Sequence, residues 1–237
     1  MKNLILRGAF IAGILIFTNN TTKAQEGFSL GVEGTPQFSW LMNKDDMNNS
    51  SLSMKTTFNS SFGITGQYGF TKNLGIGLNV LYSFQGQRYS MNDFDYYRKV
   101  GYVKVPIMFV YTVEVSPKVL FIGKIGPQFS FLANAKLTDK NGNNIVSDQS
   151  SSYAGSNFGG VIHAGFSFKL TEMLLLDATL RYDYDFTDAE NSAYKLTINN
   201  PVPVLSRAQT VTATAPRAAS TYNMTAGLTV GLKYLFK

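Results

Sequence analysis

The sequence predicts an all-β fold: an eight-stranded antiparallel transmembrane β-barrel wound as an up-and-down meander. Three observations predict it. Apolar and polar residues alternate with period two in run after run; short and long connections alternate between those runs; and the composition suits neither water nor a helical membrane protein. Of 237 residues, 15% are charged and 44% hydrophobic, whereas an ordinary soluble domain carries about 25% charged residues. After residue 25 no apolar run approaches the roughly 18 residues of a membrane helix.

Residues 1–24 read as a secretory signal peptide. Lys2 and Arg7 give a positive start, Ala9 to Phe17 are almost wholly apolar, and Thr22-Lys23-Ala24 places small residues before a cleavage point. Processing there leaves 25–237 as the barrel domain. It also lowers the net charge from +6 to +3, because Lys2, Arg7 and Lys23 leave with the segment. No basic run of the kind that binds nucleic acid remains. Cysteine is absent, which excludes disulfides, thiolate metal sites and thiol nucleophiles.

The strands follow in order. The first lies near residues 28–40. In the second, Phe62, Ile64, Tyr68 and Phe70 alternate with Ser61, Gly63, Thr65 and Gln67. In the third, Leu74, Ile76, Leu78, Val80, Tyr82 and Phe84 alternate with Gly75, Gly77, Asn79, Ser83 and Gln85. Strands near 100–113 and 119–133 come next. Phe158, Ile162, Phe166 and Phe168 then oppose Gly159, His163, Ser167 and Lys169. The clearest run is 174–186, where Leu174, Leu176, Ala178, Leu180, Tyr182, Tyr184 and Phe186 form one parity. Leu175, Asp177, Thr179, Arg181, Asp183 and Asp185 form the other. Successive strand side chains point to opposite faces, so one face is apolar and the other charged. The last strand sets Tyr222, Met224, Leu228, Val230, Leu232, Tyr234 and Phe236 against Asn223, Thr225, Thr229 and Lys233. Most runs reach the 9–11 or so residues of a tilted bilayer crossing.

Connections place the barrel in an outer membrane. Thr71-Lys72-Asn73, Glu114 to Lys118 and Thr171-Glu172-Met173 are short, whereas 41–57, 88–99, 134–157 and 187–220 are longer. Short turns at one end and long loops at the other are the layout of outer-membrane barrels of Gram-negative cells. Aromatic residues gather near strand ends, at headgroup level. A soluble ligand-binding barrel would have to bury Asp177, Arg181 and Asp183 in an apolar core.

On this phase the lumen receives Glu33, Lys104, Lys124, His163, Asp177, Arg181, Asp183 and Lys233, with Gln37, Gln67, Asn79 and Gln128. An eight-stranded barrel is just wide enough for side chains to fill. The expectation is therefore a polar network that plugs the barrel, with His163 hydrogen-bonded to a lumen carboxylate. No cofactor or metal motif is present. Asn43 to Asn49, with Asp45 and Asp46, lacks the ligand order of a calcium loop and reads as a solvated polar loop. Asn141-Gly142 reads as a turn. Catalysis is not expected: His163 falls inward near mid-strand, whereas lipid-modifying barrels need a His beside a Ser at the outer leaflet.

Tyr102-Val103-Lys104-Val105-Pro106-Ile107, followed by Tyr111, resembles the Tyr-x-x-Ile/Val-Pro-Leu strand of PorT-like outer-membrane β-barrel proteins. Gly123-Lys124-Ile125-Gly126-Pro127 resembles their next strand, and Phe158-Gly159, Gly165-Phe166 and Leu180-Arg181-Tyr182 match later ones. The resemblance implies an outer-membrane barrel, and most such proteins have no assigned activity. The expected function is a monomeric barrel with a structural, surface-binding or scaffolding role, in contact with outer-membrane lipid and with a protein partner at its outer loops. The loop carrying Pro201, Pro203 and Pro216 is the candidate partner surface. A component of a secretion or envelope machine, a narrow porin-like channel and a lipid A-modifying enzyme stand as alternatives.

Overall fold

The structure, a computed structural model, describes residues 26–50, 52–91, 94–191 and 219–236. The proposed signal peptide and most of the 187–220 connection lie outside these residues.

Among the described residues nine strands form in chain order: β1 (Gly27–Asn43), β2 (Ser53–Gly69), β3 (Leu74–Met91), β4 (Phe94–Ser116), β5 (Val119–Asp139), β6 (Asn144–Val146), β7 (Ser156–Lys169), β8 (Leu174–Asp185) and β9 (Thr221–Phe236). A one-turn helix, α1 (Lys44–Met47), follows β1. Eight strands pair antiparallel with their sequence neighbours, and β1 closes on β9, so the sheet becomes a ring. Short β6 pairs with β5, in an outer hairpin. Closure leaves the eight-stranded wall without an edge, which satisfies every ladder inside a bilayer.

The two faces of the wall are chemically opposite. Phe28, Leu30, Val32 and Phe38 of β1 point out, as do Ile76, Leu78, Val80 and Phe84 of β3. So do Leu180 and Tyr182 of β8, with Leu228, Val230 and Leu232 of β9. The intervening residues are buried inside. Near the short-turn end Phe28 stacks on Phe236 at 5.8 Å. Near the opposite rim Phe62 meets Phe84 at 6.2 Å and Tyr184 stacks on Tyr222 at 5.8 Å. These rings bound an apolar band at the two interfacial levels.

The short turns fall where the sequence placed them, joining β2 to β3, β4 to β5 and β7 to β8. The long connections differ. Much of 41–57, 88–99 and 134–157, read as loop, is strand: β3 runs to Met91, β4 starts at Phe94 and β5 runs to Asp139. Above the bilayer the outward face of these extensions no longer meets lipid, while Tyr89, Ala135 and Leu137 pack inward, so the ladder continues while the apolar-outward alternation stops. In β5 the pattern breaks earlier for a second reason. A bulge opposite Gly101 and Tyr102 shifts the register, so Gln128 and Ser130 point inward before it and Ala135 and Leu137 after it. A bulge reverses the parity of everything beyond it. The extended β2–β5 wall therefore stands above the lipid band.

Gly126 and Gly142 are among the glycines dictated by position. A Cβ on Gly126 would overlap the carbonyl oxygen of Ile107 on β4, so this narrow barrel admits only glycine there without backbone movement. Gly142 has φ of +86° in the β5–β6 hairpin, as the Asn-Gly turn requires.

Candidate functional site

Strand pleating sends every second side chain into the lumen, and each predicted lumen residue lies there, at most 6% exposed. Towards the short-turn end, Asp177 of β8 receives two ammonium groups. Lys233 Nζ of β9 lies 2.9 Å from its Oδ2 and Lys124 Nζ of β5 lies 3.4 Å away. Lys233 also donates to Gln67 Oε1 at 3.3 Å.

A second cluster lies one turn of side chains higher. Lys104 Nζ of β4 lies 3.0 Å from Asp183 Oδ2, and Arg181 Nε lies 2.9 Å from Asp183 Oδ1. Thr225 donates to the same carboxylate at 2.7 Å. Arg181 extends across the lumen, donating to Gln128 Oε1 at 2.9 Å and facing Glu33 Oε1 at 3.5 Å. Glu33 accepts from Asn79 at 2.7 Å, and Asn79 accepts from Thr65 at 2.8 Å. Buried charges persist only when paired and hydrogen-bonded. Here each carboxylate of the predicted set meets a cation.

His163 departs from expectation. Its Nδ1 lies 3.3 Å from Thr179 Oγ1, a hydroxyl rather than a carboxylate. In register it sits between Lys124 on one side and Arg181 on the other. The neighbouring carboxylates are already taken up by those cations, which leaves a hydroxyl as the ring's partner.

Three features of the lumen escape a reading of the central strands. Asp185 is also buried and accepts from Asn223 at 3.2 Å; the parity of β8 contains it. With Glu33, Asp177 and Asp183 it makes four acids against Lys104, Lys124, Arg181 and Lys233. Apolar layers cover both ends of the network, contrary to an all-polar plug. Met108, Val110, Leu120, Ile122 and Leu175 seal the short-turn end, while Val100, Tyr102, Ala135 and Tyr153 pack near the mouth. Finally, the mouth carries its own polar clasp. Arg98 Nη1 lies 2.7 Å from Glu190 Oε1 and its guanidinium covers the Tyr89 ring at 4.9 Å. Tyr89 in turn donates to Asp46 Oδ2 at 3.2 Å.

Within 43–49, Lys44, Asp45, Asn48 and Asn49 are exposed as the solvated-loop reading expects, but Asn43 and Asp46 are buried. Asn43 caps α1 by accepting from the Asp45 and Asp46 amides, which turns Asp46 into the mouth, where it is buried. Arg98 shares the even parity of Lys104 on β4, a signal hidden only because 88–99 read as a loop. Beyond the clasp, Asp148 Oδ1 accepts from the Ser150 amide at 2.8 Å, and that contact holds its carboxyl below the usual carboxylate range.

A closed eight-stranded ring with an apolar outer band and a charged, filled interior is the architecture of an outer-membrane barrel. The sequence agrees: the family model described as "Outer membrane protein beta-barrel domain" matches residues 20–191. The chain belongs to this outer-membrane β-barrel family. It is a Gram-negative outer-membrane protein, and its outward apolar parity contacts lipid. No curated protein matches the sequence. Solved structures that the barrel is similar to include Neisserial surface protein A, at 14% identity over 89% of this chain and 98% of that chain, with a TM-score of 0.48. The outer membrane protein OprG from Pseudomonas aeruginosa is similar at 12% identity over 90% and 97%, with a TM-score of 0.49. Ail, the attachment invasion locus protein of Yersinia pestis, solved with the heparin analogue sucrose octasulfate, is similar at 12% identity over 87% and 99%, with a TM-score of 0.41.

Proposed function

We propose that this barrel is a closed, monomeric surface scaffold, exported by residues 1–24, whose lumen is a structural plug and whose outer strands and loops present a binding surface. The observation that carries the reading is closure at successive levels. The apolar layer at Met108, Val110, Leu120, Ile122 and Leu175, the ion pairs around Asp177 and Asp183, and the Arg98–Glu190 clasp close the lumen at three levels among the described residues. The loops are also tied together. Asn43 donates to the Ala219 carbonyl at 2.8 Å, Ala219 to Asp45 at 2.8 Å, and the Ala154 amide to the Ala189 carbonyl at 2.9 Å. Such bracing favours a preorganised surface, which lowers the entropy cost of binding. A non-enzymatic role is part of the reading, because His163 lies deep in the lumen between two cations, remote from any lipid substrate.

Within the family, the Tyr102–Ile107 motif supports a place among PorT-like barrels. Tyr102 and Lys104 of that motif point inward, where Lys104 holds Asp183.

Two measurements test the proposal. Purified protein in planar bilayers is expected to give no steady conductance above the lipid baseline; reproducible channels from pure protein would replace the scaffold by a pore. N-terminal sequencing of protein extracted from outer membranes is expected to begin at Gln25, and a chain retaining Lys2 and Arg7 would overturn the export segment.

A further inference from the structure

The outward face of the β2–β5 wall carries a feature that the lumen does not explain. Lys99 of β4 and Lys136 of β5 are directly opposed in register, and both are exposed. Lys55 of β2 and Arg88 of β3 are likewise opposed. Arg88 has an acidic partner, Asp95 at 2.6 Å, and lies over the Tyr97 ring at 5.8 Å. Lys99 and Lys136 have no acidic partner among the described residues. Like charges directly across a strand pair repel, so these two ammonium groups form a cationic fork that an anion would relieve.

Height decides what that anion is. On β3 the lipid-facing series ends at Tyr82 and Phe84, and Phe84 is opposed to Gly101 on β4, two residues from Lys99. The space beside Gly101 is taken by the Tyr82 hydroxyl and the Asn134 amide. The lysine pair is thus the first charged row above the aromatic rim, at headgroup level. The aromatic rim itself carries no charge where it continues around the ring, at Phe158 of β7, Tyr184 of β8 and Tyr222 of β9.

We propose that Lys99 and Lys136, flanked by Lys55 and Arg88, bind the phosphorylated headgroup of an outer-leaflet lipid, so that one side of the barrel selects its neighbouring lipid. A phosphomonoester carries between one and two negative charges near neutral pH and presents three acceptor oxygens. Lysine binds it as a point charge and needs no bidentate geometry. The site is continuous with the apolar band, so the acyl chains of the same lipid would lie against Phe84, Tyr82 and Val103.

Native mass spectrometry of the detergent-extracted full chain tests this, with bis-phosphorylated lipid A, dephosphorylated lipid A, phosphatidylcholine and inorganic phosphate as probes. The phosphorylated lipid is expected to be retained in preference to its dephosphorylated form. Each lysine near an anionic headgroup contributes about a fivefold change in binding, so Lys99→Gln/Lys136→Gln is expected to reduce that preference by about 25-fold. Lys99→Arg/Lys136→Arg should keep it, and Lys72→Gln/Lys118→Gln at the opposite end should leave it unchanged. Heat-dependent electrophoretic mobility confirms that each variant is folded. Equal retention of the two lipid A forms, or an unchanged preference in the glutamine variant, overturns the site. Displacement of the lipid by millimolar inorganic phosphate overturns the lipid as its source.

Discussion

Asp183→Ala is expected to destabilise the barrel by about 3–5 kcal/mol, the cost of removing one partner from a buried ion pair. The carboxylate serves Lys104 at 3.0 Å, Arg181 at 2.9 Å and Thr225 at 2.7 Å, and is 2% exposed. Its loss leaves two cations in the lumen with no compensating acid at that position. Asp183→Asn keeps the shape and part of the hydrogen bonding but not the charge, so it should be almost as damaging. Removing both ends of the pair is different. In Lys104→Met/Asp183→Leu, Arg181 still has Gln128 and Glu33, and a matched apolar pair can replace a buried ion pair at little cost. The double variant is therefore expected to recover much of the loss. The single tryptophan, Trp40, reports urea unfolding of the full chain in detergent or bilayers. An Asp183→Ala shift below about 1 kcal/mol, or a double variant less stable than Asp183→Ala, would show that the network does not hold the lumen together.

Leu180→Arg is expected to cost about 2–4 kcal/mol, as arginine does on the lipid face of a barrel near the bilayer midplane. Leu180 is 69% exposed and opposed to Leu228 on β9 and Ala164 on β7. In water such exposure would make the position tolerant, and an arginine there would be nearly free of consequence. In lipid the penalty falls with distance from the midplane, so the same substitution at Tyr222, by the rim, should cost about 1 kcal/mol or less. Leu180→Phe near the midplane and Tyr222→Phe by the rim should both be close to neutral. The gradient between the two arginine variants, read from unfolding in vesicles, separates a lipid-facing surface from a merely exposed one.

The sequence carried most of the central barrel because every membrane strand imposes the same constraint, an apolar residue on one parity and a polar or small one on the other. Leu174 to Phe186 displays both parities without interruption, and the structure places Asp177, Arg181 and Asp183 inward together. Where the constraint lapses, so does the signal. Above the rim the β3–β4 extension has no lipid face, and Arg98, although on the parity of Lys104, looked like part of a loop. The β5 bulge beside Leu132 reversed the parity and mimicked a strand end. Which lumen residues pair is a further step, because Arg181 meets Glu33 from another strand, and such partners follow from register and barrel closure. Asp46 enters the mouth through the local turn made by Asn43, and Tyr89 receives it from β3. The Lys99–Lys136 pair likewise exists only once β4 and β5 are aligned.

The central claim is that the even parity of β8 faces lipid while the odd parity faces a filled lumen. The chain has no cysteine, so single cysteines from Leu176→Cys to Asp185→Cys each report alone, in protein reconstituted in vesicles. Labelling with a membrane-confined maleimide is expected to alternate: strong at 176, 178, 180, 182 and 184, and weak at 177, 179, 181, 183 and 185, with an aqueous maleimide reacting poorly at the buried odd positions. Uniform labelling along the strand, or lipid-phase labelling at the odd positions, would contradict it.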